Sequence, residues 1–296
     1  MRPASLAVLG LGAIGGSLAW QARRAGIPRV VGFAPDRGDA VQALQAGALH
    51  DIALTPEQAV QGADLVVLAA PPGGILDLLG RLGPHLAPGA LVTDVASIKA
   101  AVNARAVTAG LGARFAGAHP FAGTHVAGWA GATPDRFTGV LTYVCPTGPD
   151  GDHAAREVMD FWATVLGAHP VLVDAETHDR QLAWTSHLPQ AVASALGHAL
   201  AGAPHIGGAS YGTGARDTTR LAASPAEMWT EIFLLNQRPV LDTLDAASAD
   251  LAALRQLIAA GDRVKLTAYL EEAARFRQAL DRRSGPHGPG HHDGAS

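Results

Sequence analysis

The stretch Leu6-Ala7-Val8-Leu9-Gly10-Leu11-Gly12-Ala13-Ile14-Gly15 decides the fold. Its first residues form a continuous apolar run that reads as a strand, Leu6–Gly10. Directly after it, Ile14–Ala25 has helical periodicity and is closed by Gly26. Between the two, Gly10, Gly12 and Gly15 keep the spacing Gly-x-Gly-x-x-Gly. Each glycine has its own reason. Gly10 allows the tight turn, Gly12 lets the backbone approach a pyrophosphate, and Gly15 lets the helix pack closely on the strand. The helix N-terminus at Ala13 and Ile14 then turns its N–H groups toward the anion. Glycines serving packing alone are the competing reading. A position between strand and helix, at the start of a βαβ unit, argues against it.

The same alternation continues outward. Apolar runs at Val30–Phe33, Leu65–Ala70, Leu91–Val95, Arg114–Gly117, Val140–Cys145 and Val171–Asp174 read as strands, and Asp39–Ala46, ended by Gly47, reads as a helix. Most runs are continuously apolar, as strands covered on both faces are. Residues 1–174 are therefore expected to form a Rossmann-type α/β domain, a doubly wound, mostly parallel sheet. After Asp174 no strand-like run follows, and residues 175–283 read as all-helical. Thr177–Leu200 is apolar nearly all round, which implies burial on most sides or against a second subunit, and Pro189 inside it must kink or interrupt that helix. Ser224-Pro225-Ala226-Glu227 reads as a helix start with Ser224 as cap. Gly261-Asp262 closes one helix and opens the last, whose stripe is Leu266, Tyr269, Leu270, Ala273, Phe276 and Leu280. Residues 284–296 lack periodicity and are expected to be a disordered tail.

Composition excludes several classes. The chain has 296 residues, 48% hydrophobic and 16% charged, with 22 Lys plus Arg against 26 Asp plus Glu. A nucleic-acid partner would need a clustered basic excess. Cys145 stands alone, so no internal disulfide is possible and zinc-finger spacing is absent, and no metal is expected. No apolar stretch approaches the ~20 residues of a membrane span, and the N-terminus lacks a secretory signal. The expectation is a soluble, cytoplasmic protein with no membrane partner.

The second half of the dinucleotide fingerprint is missing. An acid normally ends the second strand to bind the ribose, and Ala34 stands there. Asp36 reaching the ribose would favour NAD; Arg37 facing a 2′-phosphate would favour NADP; both as solvated turn residues is a third reading. Ligands in such folds bind outside the carboxyl ends of the strands. There Ala70 and Pro71 turn the chain where the cofactor should pass, Thr93–Lys99 carries Ser97, and Gly117–Thr124 carries His119. Alone, Ser97 is most simply a helix N-cap and His119 a hydrogen-bonded loop histidine. Together they suggest an imidazole that takes a hydroxyl proton as hydride leaves the same carbon.

Ser97-Ile98-Lys99, His119-Pro120-Phe121-Ala122-Gly123-Thr124, Ser186-His187-Leu188-Pro189, Asp217-Thr218-Thr219-Arg220 and Met228-Trp229 resemble the prephenate/arogenate dehydrogenase family of tyrosine biosynthesis. The match is ordered, runs from Leu6 to about Leu280, and joins motifs of both expected domains. The resemblance implies an NAD(P)-binding domain followed by a helical dimerisation domain, hence a homodimer. It implies oxidation of a cyclohexadienol at its ring hydroxyl with loss of the ring carboxylate as carbon dioxide. In that reading His119 accepts the hydroxyl proton, Ser97 orients His119, and Arg220 grips a substrate carboxylate as a planar fork of donors. Arg216, one helical turn away, is either a second anchor or an ion-pair partner of Asp217 or Glu227. His187 and Trp229 either line the site or fill the core. Thr124, His125 and Gln190 fall near the substrate side chain. Relatives that use prephenate often carry a second histidine where Gln190 stands and an acid where His125 stands, which leaves prephenate and arogenate both open. Two rivals remain. An imine or β-hydroxyacid dehydrogenase often uses a catalytic lysine, and the chain's two lysines are Lys99 and Lys265. A non-catalytic NAD(P)-binding sensor would have no need of Ser97, His119 and Arg220 together.

Overall fold

The computed structural model describes residues 1–124, 126–203 and 211–283. Its strands are β1 (Ser5–Leu9), β2 (Arg29–Phe33), β3 (Asp51–Ile52), β4 (Leu65–Leu68), β5 (Leu91–Asp94), β6 (Phe115–Pro120), β7 (Leu141–Pro146) and β8 (His169–Leu172). The helices α1 (Ala13–Arg24), α2 (Arg37–Gln45), α3 (Pro56–Ala59), α4 (Pro72–Leu82), α5 (Ala100–Thr108) and α6 (Asp152–Asp160) connect them. Beyond β8 come α7 (Ala175–Leu182), α8 (Leu188–Ala201), α9 (Thr213–Thr219), α10 (Ala226–Leu235), α11 (Gln237–Ala260) and α12 (Arg263–Arg283).

The sheet order is β3-β2-β1-β4-β5-β6-β7-β8, parallel from β1 to β6, with β7 antiparallel to β6. Strand order reverses between β1 and β4, so a crevice opens at their carboxyl ends, where such folds bind ligands. Two-sided burial explains the apolar runs. Leu6 and Val8 of β1 face a core with Leu18 and Ala22 of α1, while Ala7 and Leu9 face a second core with Ile75 and Leu79 of α4.

Several expectations change in detail. The expected strand Arg114–Gly117 runs instead from Phe115 to Pro120, because β7 pairs along it and pairs His119 with Tyr143. The loop histidine thus becomes the penultimate residue of a strand. The last strand lies at His169–Leu172 rather than Val171–Asp174, and β3 carries too short a run to read from sequence. Thr177–Leu200 is not one kinked helix. A wide π-turn, Ala183–His187, separates α7 from α8, and Pro189 falls in the first turn of α8. Proline lacks the N–H and crowds the carbonyl four residues back, and the wider turn relieves both. Nor is that segment buried on most sides, since Trp184 and Val192 are exposed in the protomer. Ser224 does not cap α10; Pro225 occupies that position with no side-chain cap.

The chain forms two compact units, the first Met1–Val240, the second beginning at Leu241. Within the second, Gly261 at φ 62° reverses the chain, and the Asp262 carboxylate accepts from Lys265 N at 3.1 Å to start α12. Among the described residues no helix is long and apolar enough to cross a membrane, and no cluster suited to a metal occurs. The expected tail, 284–296, and His125 lie outside the described residues.

Candidate active site

The glycine loop fits a dinucleotide on the geometry of its own backbone. Gly10 has φ +107°, and a Cβ there would lie 2.2 Å from the Ala69 carbonyl oxygen at the end of β4. A Cβ on Gly15 would lie 2.0 Å from Gly10 O. Over Gly12 the space is open, with only Gly128 Cα at 3.9 Å. Helix α1 begins at Ala13 with no side-chain cap and no acid in its first turn. Its first N–H groups, at Ala13, Ile14 and Gly15, are thereby left to an anion. Pro71, exposed, leads from β4 into α4, and Glu231 of α10 accepts from Gly73 N at 3.0 Å. At the end of β2, Asp36 caps α2 by accepting from Gly38 N at 2.7 Å. Arg37 is exposed and makes no ion pair among the described residues.

The carboxyl ends of β5 and β6 are clamped together. Fully buried Asp94 accepts from Ala96 N at 2.9 Å and Ala118 N at 3.1 Å, and is ion-paired with the equally buried Lys99. Lys99 Nζ also donates to Ala118 O at 2.8 Å, so both backbone groups of the residue before His119 are held. Gly117 makes room for the pair: a Cβ there would sit 3.0 Å from Lys99 Cδ. This lysine is a structural counter-ion, and Lys265 is an exposed partner of Asp262.

His119 is buried and its Nδ1 lies 2.9 Å from Nε2 of His178 on α7. His178 Nδ1 in turn lies 2.7 Å from the Asp179 carboxylate. The His119 ring stacks on Phe121, centroids 4.9 Å apart. Burial, and then the neighbouring His178, push the His119 imidazole well below its ordinary range. Burial does the same to His178, opposed by its bond to Asp179. Ser97 makes no hydrogen bond to His119 and does not cap α5. That helix starts at Ala100, and its first N–H groups, of Lys99 and Ala100, donate to Asp179 at 2.8 and 2.9 Å. An acid brought in from α7 thus replaces the expected serine cap, as its charge suits a helix N-terminus.

His187 ends the π-turn, fully buried, with Trp229 edge-on at 5.9 Å. Asn236 Nδ2 donates to Asp179 O at 2.9 Å and faces His187 Nδ1 at 3.0 Å. Because that amide nitrogen is already a donor, His187 Nδ1 accepts and the neutral ring carries its hydrogen on Nε2. Nε2 is buried with no hydrogen-bond partner among the described residues. Burial lowers its pKa to about 4. Gln190, also buried, ties α8 to the turn after α9, its Nε2 donating to Leu221 O at 2.9 Å. Its Oε1 has no partner among the described residues. Arg220 opens that turn, exposed, while Arg216 on α9 is exposed and pairs with neither Asp217 nor Glu227. Thr124 is exposed, and its Oγ1 accepts from Val126 N at 3.2 Å.

One connected network therefore holds His119, His187, Trp229 and, through the Asp179 carboxylate, the start of α5. No described bond links Thr124 or Arg216 to it. His178, Asp179 and Asn236 escape a motif search. A signal for the first two existed: His178, Asp179, Leu182 and Ala183 are all buried, a helical stripe that turns two titratable side chains inward.

Comparison with known proteins agrees with this geometry. Residues 18–172 match the prephenate dehydrogenase nucleotide-binding domain, and 174–272 match the prephenate dehydrogenase dimerization domain. The chain is 31% identical over 283 residues to cyclohexadienyl dehydrogenase of Zymomonas mobilis subsp. mobilis, covering 93% of this chain and 95% of the relative. A solved prephenate dehydrogenase from A. aeolicus, in complex with hydroxyphenyl propionate and NAD+, is 28% identical with a TM-score of 0.86, covering 94% of this chain and 98% of that one. The solved arogenate dehydrogenase of Synechocystis is 31% identical with a TM-score of 0.78, covering 94% of this chain and 100% of that one. With both family regions matched in order across a network that joins the strand ends to the helices, the chain belongs to the prephenate dehydrogenase family.

Proposed function

We propose that this chain oxidatively decarboxylates prephenate to 4-hydroxyphenylpyruvate, with hydride passing to NAD+. The observation that carries the reading is His119. It is a neutral, buried imidazole at the carboxyl end of β6, its Nδ1 engaged by His178 and its Nε2 left for a substrate hydroxyl. NAD+, when bound along the glycine loop, supplies the hydride acceptor. The loop residues Gly10, Gly12, Ala13, Ile14 and Gly15, with Ala70 and Pro71 beside them, are those we assign to holding it. His119 Nε2 takes the proton of the ring hydroxyl as the hydride leaves the carbinol carbon. Loss of the ring carboxylate as carbon dioxide returns an electron pair to the ring, and the phenolate oxygen recovers the proton from His119. Burial serves this step, since an imidazole held neutral is ready as a base without prior loss of a proton. We assign His187 Nε2–H, Gln190 Oε1 and the Arg220 guanidinium to the substrate's polar groups, with Trp229 packing beside His187. Arg216, Thr124, His125 and Ser97 are retained as candidates for the same site.

A second reading, arogenate as substrate, is favoured by Gln190, a neutral side chain where prephenate-using relatives often carry histidine. NADP+ is the corresponding alternative cofactor, favoured by Arg37, which is exposed and makes no ion pair among the described residues. We assign 1–174 to nucleotide binding and 175–283 to a helical part that forms a homodimer, a division supported by where the family matches meet.

The deciding experiment is to give the purified chain prephenate or arogenate with NAD+ or NADP+ and follow reduced cofactor by absorbance. We expect the largest kcat/KM for prephenate with NAD+, and a loss of about 10²- to 10⁴-fold in kcat for His119→Asn. No reduction with any of the four pairs rejects the dehydrogenase reading.

A further inference from the structure

We propose that His178 and Asp179 are positioning residues that hold His119 in the tautomer whose Nε2 is bare. The inference rests on the reading of His119 as the base and extends it to two residues outside the recognised motifs. It follows from donor bookkeeping alone. A carboxylate only accepts. Asp179 Oδ1 receives Lys99 N at 2.8 Å and His178 Nδ1 at 2.7 Å, and Oδ2 receives Ala100 N at 2.9 Å. His178 Nδ1 therefore carries hydrogen, and in the neutral ring Nε2 is a lone pair. The group 2.9 Å from that lone pair is His119 Nδ1, which must donate to make the contact favourable. Neutral His119 then has no hydrogen on Nε2, the tautomer a general base needs.

The alternative tautomer would set two lone pairs against each other at 2.9 Å in a buried place, where an unsatisfied contact costs most. Asp179 is itself fixed by the start of α5, so its orientation is set by backbone and not by a mobile side chain. When His119 takes the substrate proton, its Nδ1–H still points at His178, and the Asp179 charge lies behind it. This is the role a buried acid plays behind a catalytic histidine, here relayed through a second imidazole.

The test is nitrogen NMR of the full chain labelled with ¹⁵N-histidine, the His119 signals assigned by their absence from His119→Asn. Wild type should show hydrogen on Nδ1 and a bare Nε2. His178→Leu should lose that signature and lower kcat about 10- to 100-fold with KM unchanged. His178→Gln, whose amide oxygen offers the same acceptor, should keep the signature and restore most of kcat. Hydrogen on Nε2 in wild type overturns the proposal, even if neither variant folds. So does a His178→Leu protein with the wild-type signature and wild-type kcat. The tautomer is read without substrate, so a wild type that reduces no cofactor counts against the dehydrogenase reading only.

Discussion

Arg220 is the clearest case at the scale of single residues. A bidentate donor is what a carboxylate requires, yet the side chain is exposed and has no acidic partner among the described residues. Its turn is held in place by Gln190, whose amide bonds the next carbonyl, that of Leu221. Arg220→Ala should therefore raise KM about 10- to 100-fold with kcat largely retained, the worth of one charge-assisted hydrogen bond. Steady-state kinetics decides it, and an unchanged KM removes Arg220 from carboxylate binding. Ser97 teaches the converse. Its place before a helix suggested a cap, but α5 begins three residues later and takes its cap from Asp179, 79 or 80 positions away in sequence.

Elements meet where β6, α7 and the π-turn bring His119, His178 and His187 together. All three imidazoles are pushed below the ordinary range, in each case chiefly by burial, with His187 at about 4. The unfolded chain titrates near the usual ~6.5 and so binds more protons than the folded chain below that pH. Stability is thus fully present above about pH 6.5 and is lost as pH falls toward 4, by up to about 1.4 kcal/mol per pH unit for each histidine. Urea unfolding should give a midpoint that is flat from pH 8 to 7 and drops from 6.5 to 5. A midpoint that rises on acidification would mean that these rings are not held neutral.

The whole molecule presents apolar surface that a lone protomer leaves to water. In the first unit Trp184 and Leu234 are exposed, and in the second Leu251, Ile258 and Phe276 are at least 61% exposed. Surface of this kind marks an interface. Sedimentation velocity at micromolar concentration should show one dimeric species, and a sharp monomer boundary would count against the homodimer.

The alternation of strand and helix, the glycine loop and the mostly parallel character of the sheet were legible in the sequence, because local periodicity and glycine chemistry are properties of neighbouring residues. Family motifs brought His119, His187 and Arg220 into view for the same reason, as short patterns readable in place. The extension of β6 by antiparallel β7, the wide turn ahead of Pro189, the Asp94–Lys99 clamp and the Asp179–His178–His119 chain were decided only by tertiary structure. Each depends on which distant groups share one dry space, and a buried donor or acceptor takes whatever partner the fold delivers, however far along the chain it lies.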